Sequence, residues 1–333
     1  METPNTYAVN TMLIPLDGSD AANRAIDFAV TIGGPTATYF LLHVLPPEQE
    51  LRNATGEIVL STNRIQEMNQ DLATTSLAAG SALLRSAAPS ASIETVTRSG
   101  DPALTIVKEA RQRSADFIVM ASQGRESSNE ASFGSTADRV VRTSTIPVLV
   151  VRDLAGDVLG PRITRIVVPL DGSRRAAQAV PVAGRLAKSL GVGVKIVTVI
   201  DPTRSFPPSY SYEAAQSGAF FDEILSGMRY ELQCVQDQAE KIVRSAGVSV
   251  DSVLLYGKTV PTIVDATASR DLIVMTSHGQ GMGKQWMLGS VSEKILREAR
   301  LPIVLLRSQP EPDVITYAAD EALNLQPLGN GLR

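Results

Sequence analysis

Sulfur and imidazole are scarce in this chain. One cysteine, Cys234, stands in 333 residues, so no internal disulfide can form. Its place in an apolar helical stretch predicts a buried, inert thiol rather than a nucleophile. Two histidines, His43 and His278, are too few for a His/Cys metal centre. His43 lies within an apolar strand and His278 in a glycine loop, which gives a Ser-His-Asp triad poor support. No apolar run is long enough to cross a bilayer. The opening METPNTYAVN has no basic start followed by an apolar core, so a secretory leader is not expected and a cytoplasmic location is. A formal net charge of −4 leaves no basic excess for nucleic acid. Neither nucleic acid nor a membrane is therefore an expected partner. The remaining composition, 44% hydrophobic and 20% charged, is that of a globular protein long enough for two domains.

The organising stretch runs from Asp271 to Glu298. A short apolar run, Leu272 to Met275, has the character of a buried parallel strand. A loop with Gly279, Gly281, Gly283 and Lys284 follows, then Gly289-Ser290 opens a segment with Val291, Ile295 and Leu296 at helical spacing. Strand, glycine loop and helix start together make an anion site. Glycine lets backbone approach a phosphate, and the first N–H groups of the helix point at it. The same pattern also fits a tight turn that binds nothing. A second copy strengthens the first reading. In Asp116 to Arg142, Gly124 and Gly134 precede Gly279 and Gly289 by 155 residues each, which makes the chain a tandem repeat.

Each repeat alternates strand and helix. In the first, Thr11 to Leu16 is a buried strand, Asp17-Gly18-Ser19 a turn with Ser19 capping a helix from Asp20, and Gly33-Gly34 its stop. Tyr39 to Leu45 is the next strand, and residues 46–62 form a polar connection. A long helix over Asn63 to Ala87 presents Ile65, Met68, Leu72, Ala79 and Leu83 as its apolar stripe. Ile93 and Val96 mark an edge strand, Gly100-Asp101-Pro102 a turn and cap, Phe117 to Met120 and Val148 to Val151 the last two strands. Residues 152–161 read as a linker. The second repeat follows the same plan from Ile166, with Pro181 kinking its first helix or starting the main part of it. Asp201 to Phe221 is longer than a compact connection needs. The long helix then shows Ile224, Met228, Leu232, Val235, Ala239 and Ile242 at helical spacing, and Ser308 to Arg333 forms a tail. The fold class is α/β: two tandem doubly wound parallel sheets of five strands.

The spacing Gly-x2-Gly-x9-Gly-Ser/Thr resembles the motif of universal stress proteins. Gly279, nine residues, Gly289-Ser290 and Gly124, nine residues, Gly134-Ser135 keep its last three landmarks, while Thr276 and Ala121 stand where the motif has its first glycine. The resemblance covers both halves and implies two domains, 1–152 and 163–307, with an adenine nucleotide alpha hydrolase-like fold and strand order 3-2-1-4-5. Strands 1 and 4 then meet at the switch point, where ligands sit beyond the strand ends. It further implies ATP, with magnesium, as the ligand. Pro169, Asp171, Val199, Thr276, Gly279, Gly289, Ser290 and Val291 would surround it in the second repeat, and Pro15, Asp17, Val44, Ala121, Gly124, Gly134, Ser135 and Thr136 in the first. A carboxylate at Asp17 or Asp171 suits ribose hydroxyls or an adenine amine, though it equally suits a turn that stabilises its own backbone. The family also pairs domains through the fifth strands, so the repeats are expected to pair within the chain, and a homodimer is compatible with this.

The two loops differ. The second carries Lys284; the first carries Glu126 and Glu130, which would repel a triphosphate. The second site is therefore expected to bind ATP better. No general base is evident beside the phosphates, so no catalytic residue and no protein-held metal are expected, and hydrolysis would be slow at most. The Ser-Gly-Gly-x-Asp-Ser loop of the pyrophosphate-loop enzymes is absent after strand 1. The expected function is a stress-response regulator that binds ATP. The alternative is a nucleotide-free scaffold or association module whose glycine loops are only turns.

Overall fold

The computed structural model describes residues 9–47, 50–53, 55, 57–124, 133–152, 162–201, 218–277 and 288–308. The strands of the first repeat are β1 (Thr11–Pro15), β2 (Thr38–Leu45), β5 (Ser92–Ser99), β6 (Phe117–Ala121) and β7 (Val148–Val151). Those of the second are β8 (Arg165–Leu170), β9 (Gly193–Ile200), β10 (Val250–Tyr256), β11 (Asp271–Thr276) and β12 (Ile303–Leu306). They form one ten-stranded sheet in the order β10-β9-β8-β11-β12-β7-β6-β1-β2-β5. Within each repeat all pairings in this sheet are parallel, and the expected 3-2-1-4-5 order holds. Central strands such as β6 and β11 are buried along their whole length, which is why they read as unbroken apolar runs.

Helices cover both faces. On one face lie α1 (Asp20–Gly33), α2 (Thr62–Ala87), α5 (Arg174–Ala177), α6 (Ala179–Leu190) and α7 (Gly218–Ser245). On the other lie α3 (Pro102–Gln112), α4 (Ser135–Thr143), α8 (Thr259–Asp265) and α9 (Ser290–Glu298). Each face has its own core, and each core runs across both repeats: Ile14 with Val168 on the first, Leu13 with Val167 on the second. The turn signals act as their chemistry dictates. Ser19 Oγ accepts from Ala22 N–H at 3.1 Å and Ser173 Oγ from Ala176 N–H at 3.1 Å. Asp101 Oδ1 caps α3 through Leu104 N–H at 3.0 Å, with Pro102 as the first helical residue. Pro181 falls in the first turn of α6, where its missing N–H costs nothing, so it starts the main part of that helix.

The long helices correct the sequence reading. In α2 the inward side chains are Ala73, Ser76, Leu77, Gly80 and Leu84. Met68 and Leu83, placed on the apolar stripe by spacing, are 51% and 43% exposed. The cause is close approach. A Cβ on Gly80 would lie 2.5 Å from Leu16 Cδ1, so the small-residue side, not the bulkier one, meets the sheet. In α7, Gln236, Ala239 and Val243 point inward and Ile242 is 41% exposed. Gln236 Nε2 donates to Thr198 Oγ1 at 3.2 Å and Val253 O at 2.9 Å, a buried polar anchor that hydrophobic spacing cannot reveal. Cys234 is exposed, contrary to the buried thiol expected, because Gln236 takes the inward direction on that turn. The connection after β2 contains a small antiparallel ladder, β3 (Leu51–Arg52) with β4 (Ile58–Leu60). Asn53 Oδ1 closes its turn by accepting from Thr55 N–H at 3.1 Å and Glu57 N–H at 2.9 Å. The Arg204–Tyr212 segment and the tail beyond Ser308 lie outside the described residues.

The repeats join as expected through their fifth strands. β7 and β12 pair antiparallel, with Val150 opposite Ile303 and Val148 opposite Leu305. Arg152 leaves β7 and crosses to the end of α9. Its Nη1 donates to the carbonyl of Arg297 and, at 3.2 Å, to that of Ala299. Those carbonyls have no helical partner and carry the negative end of the helix dipole, so a guanidinium suits them. Arg142 on α4 pairs with Asp138 at 2.8 Å and reaches Glu293 on α9 at 3.4 Å.

Three substitutions test this packing. Gly80→Leu should lower the urea midpoint strongly, by about 2 kcal/mol or more of stability through overpacking, while Met68→Ala stays within about 0.5 kcal/mol of wild type. Equal effects would refute the assigned face of α2. Arg152→Ala should cost about 1–2 kcal/mol in the same titration, because the α9 carbonyls lose a charged donor.

Candidate functional site

The site begins where β1 ends. Asp17, Gly18 and Ser19 form a sharp turn, with Gly18 at φ 84°, a conformation that favours glycine. Asp17 Oδ1 accepts from Ser19 N–H at 2.9 Å and Ser19 Oγ at 2.6 Å. One carboxylate oxygen therefore braces the turn. The other, Oδ2, faces across to Gly124, where an added Cβ would collide with it. Asp171 repeats this in the second half, accepting from Ser173 N–H at 3.0 Å and Ser173 Oγ at 2.6 Å, with Gly172 again at φ 84°. The backbone-turn role of these aspartates is thus real, and in the first repeat it leaves one oxygen directed at the glycine loop.

The loop side is built just as tightly. Gly134 N–H donates to Ser122 O at 2.7 Å, and a Cβ on Gly134 would stand 3.0 Å from that carbonyl. Gly289 N–H makes the same bond to Ser277 O at 2.8 Å. Gly134 and Gly289 are the N-cap residues of α4 and α9, and neither helix has a side-chain cap. The two helices so present first-turn N–H groups and a positive dipole end toward the strand ends.

In the first repeat these parts enclose a cavity of about 750 Å³. Pro15, Asp17, Val44, Ala121, Gly124, Gly134, Ser135 and Thr136 all line it, so eight residues spread over 122 positions converge on one space. The switch point explains this: β1 and β6 are neighbours, and the chain leaves them toward opposite faces. Ala121 contributes a methyl to the wall where the family motif has glycine. In the second repeat Pro169, Asp171, Val199, Thr276, Gly289, Ser290 and Val291 occupy the equivalent strand ends and helix start. Thr276 is buried, and its carbonyl accepts from Ser292 Oγ at 2.9 Å. Gly279 lies outside the described residues, as do Glu126, Glu130 and Lys284.

Sequence reasoning missed other wall residues. His43, buried within β2, lines the cavity, as do Asn69 and Leu72 of α2 and Pro102 and Ile106 of α3. His43 is adjacent to Val44, which offered a signal; Asn69 offered none, since it depends on how α2 leans over the sheet. Beside the lining residue Pro102, Asp101 pairs with Arg139 of α4 at 2.6 Å. The Arg139 hydrogen bond, followed by the Leu104 N–H, holds the Asp101 carboxyl below its ordinary 3.8. This link is complete at neutral pH and is lost as pH falls below that ordinary value toward the lowered one. Among the described residues no group of three or more His, Cys, Asp or Glu side chains could hold a metal ion, and no helix is long and apolar enough to cross a membrane.

Comparison with known proteins agrees with this architecture. The model of the Universal stress protein family matches residues 9–152 and 162–307. A universal stress protein of Mycobacterium tuberculosis H37Rv is 28% identical over 207 residues, which cover 62% of this chain and 66% of that protein. The match spans just under two thirds of that relative's length. A universal stress protein of Bacillus subtilis is 30% identical over 146 residues, 43% of this chain and 99% of that protein, the size of one repeat. Among solved structures, a universal stress protein from Archaeoglobus fulgidus aligns over 90% of this chain and 98% of its own, with TM-score 0.62 and 19% identity. A functionally unknown protein from Pseudomonas aeruginosa aligns over 92% and 95%, with TM-score 0.57 and 12% identity. These likenesses show the fold, which is adenine nucleotide alpha hydrolase-like. With a family match over each of its two repeats, the chain belongs to the universal stress protein family.

Proposed function

We propose that this protein binds ATP at the switch-point crevice of each repeat, more tightly in the second, and acts in a stress response through conformation or association. The observation that carries the reading is the first-repeat cavity. Its volume, about 750 Å³, falls in the range of small-molecule sites. Its wall combines an uncapped helix start, glycines whose neighbours leave no room for a Cβ, and a carboxylate oxygen directed inward. The helix N–H groups suit phosphate, and Asp17 Oδ2 suits ribose hydroxyls. Magnesium would arrive on the phosphates, since the described residues hold no carboxylate cluster for it. The reading includes two domains, 1–152 and 163–307, a tail over 308–333, a cytoplasmic setting and a homodimer. The nucleotide-free scaffold has one observation in its favour: Asp17 and Asp171 each brace their own turn, a duty that needs no ligand.

Calorimetric titration with ATP and magnesium tests the proposal. Wild type should show two unequal binding events. Asp171→Ala should remove the tighter one and Asp17→Ala the weaker, each by roughly tenfold or more, as expected for a lost charge-assisted hydrogen bond. No heat from freshly purified protein, with no nucleotide released on denaturation, would leave the scaffold reading. Gly124→Ala should also abolish the weaker event by displacing the Asp17 carboxylate, with the melting temperature changed by only a few degrees. Retained binding in that variant would show that Asp17 does not face the ligand.

A further inference from the structure

The first cavity holds a side chain that has no part in the site described above. Among the described residues that line it, only Asp17 and His43 carry titratable side chains, and none is a lysine or an arginine. A carboxylate in the wall disfavours an anionic ligand. An imidazole beside it changes charge near neutral pH and can reverse that.

His43 reaches the cavity from the α2 side. Along β2, Leu41 lies in one core, beneath α1 and α2, and Leu42 in the other, beneath α3 and α4. Alternation puts His43 on the side of Leu41 and Val44 on that of Leu42. Asn69 and Leu72 of α2 line the same cavity, which therefore extends over the ends of β1 and β2 from one helical layer toward the other. His43 is 4% exposed there. Of the charged groups on neighbouring elements, Asp17 at the end of β1 shares its cavity. On β5, Thr97 stands opposite it. On α2, the nearby Asn69, Leu72, Ala73 and Ser76 are neutral, and Arg64, Glu67 and Asp71 are exposed. Across the sheet, Arg98 of β5 and Arg113 of α3 both pair with Glu109.

The second repeat puts Thr198 at this position. Pro15 pairs with Leu42 and Pro169 with Val197, so His43 and Thr198 each follow the partner of a strand-end proline. Thr198 is fully buried, and its Oγ1 accepts from Gln236 Nε2 at 3.2 Å. The fold thus accommodates a side chain here that does not titrate.

We propose that His43 is a proton-linked residue of the first cavity: its imidazolium form favours an anionic ligand, so binding takes up a proton in this repeat and not in the second. The nucleotide as that anion rests on the reading given above; the proton link does not. An anion stabilises imidazolium and raises the pKa of the occupied site above that of the empty one. Affinity therefore rises as pH falls through the occupied value and levels off below the empty one.

The test uses the full chain carrying Asp171→Ala, so that ATP with magnesium reads the first site. Calorimetry in two buffers of different ionisation heat counts protons taken up on binding. The comparison proteins add H43T, the residue of the second repeat, or H43Q. Ionisation of ATP itself is common to all three and cancels. From about pH 8 to about pH 5.5, affinity relative to either variant should rise roughly tenfold, with proton uptake lost in both variants. A direct readout comes from imidazole NMR. The chain has two histidines, His43 and His278, and the signal absent from both variants is that of His43. If both variants unfold, H278Q assigns it by elimination. ATP, and inorganic pyrophosphate as a second probe, should move the His43 titration to higher pH. If neither probe moves it, the proposal is overturned. If ATP binds with the same pH profile in all three proteins, the proton link fails and the nucleotide reading stands. If pyrophosphate moves the titration and ATP does not bind, the link stands and the nucleotide reading fails.

Discussion

The antiparallel contact between β7 and β12 is the interaction on which the rest of the molecule depends. Each repeat by itself would end in an apolar strand with an open row of backbone donors and acceptors. Val148 to Val150 and Ile303 to Leu305 close those rows against each other, and two five-stranded sheets become one of ten strands. Because every other pairing in the sheet is parallel, this single reversal rotates one repeat by a half-turn within the plane of the sheet, which leaves α1 and α2 on the same face as α6 and α7. The carboxyl ends of the strands of the two repeats consequently point in opposite directions. It also sets α4 beside α9, so that Arg142 of one reaches Glu293 in the first turn of the other, and Arg152 reaches the carbonyls at the end of α9.

Within each repeat the site follows from a second constraint, the meeting of two strand ends at the switch point. In each repeat an aspartate there serves the fold through one oxygen, and in the first the other oxygen of Asp17 faces Gly124 across the crevice. The glycines opposite are required by clearance rather than by backbone angle: Gly124 stands against the Asp17 carboxylate and Gly134 against the Ser122 carbonyl. The turn and the helix start recur in the second repeat, where Asp171 accepts from Ser173 N–H at 3.0 Å and Gly289 N–H donates to Ser277 O at 2.8 Å. Beyond the lining residues the repeats diverge: Asp101 and Arg139 pair in the first, and Lys258 and Lys294 stand at the equivalent helix positions of the second. Duplication followed by charge change gives one chain two related halves whose helix starts differ in charge.

The sequence by itself determined the order of the five sheet strands and the helices in each repeat, the common offset of the two repeats, and caps and turns. These depend on neighbours close along the chain: Ser19 and Ala22, Asp101 and Leu104, Gly18 in its positive-φ turn. The glycine spacing carried the candidate site because its residues sit at fixed offsets from strand ends. Only the tertiary structure decided which sides of α2 and α7 face the sheet. Hydrophobic spacing put Met68 and Leu83 inside, whereas Gly80 lets the helix approach Leu16 and turns them out. Likewise, a buried Gln236 tied to Thr198 and Val253 leaves Cys234 exposed. The long-helix face, the place of Asn69 and His43 in the cavity wall, and the pairing of Asp101 with Arg139 all depend on distances between segments remote in sequence. A hydrophobic pattern records how apolar each position is, and not how closely a neighbouring element can approach it.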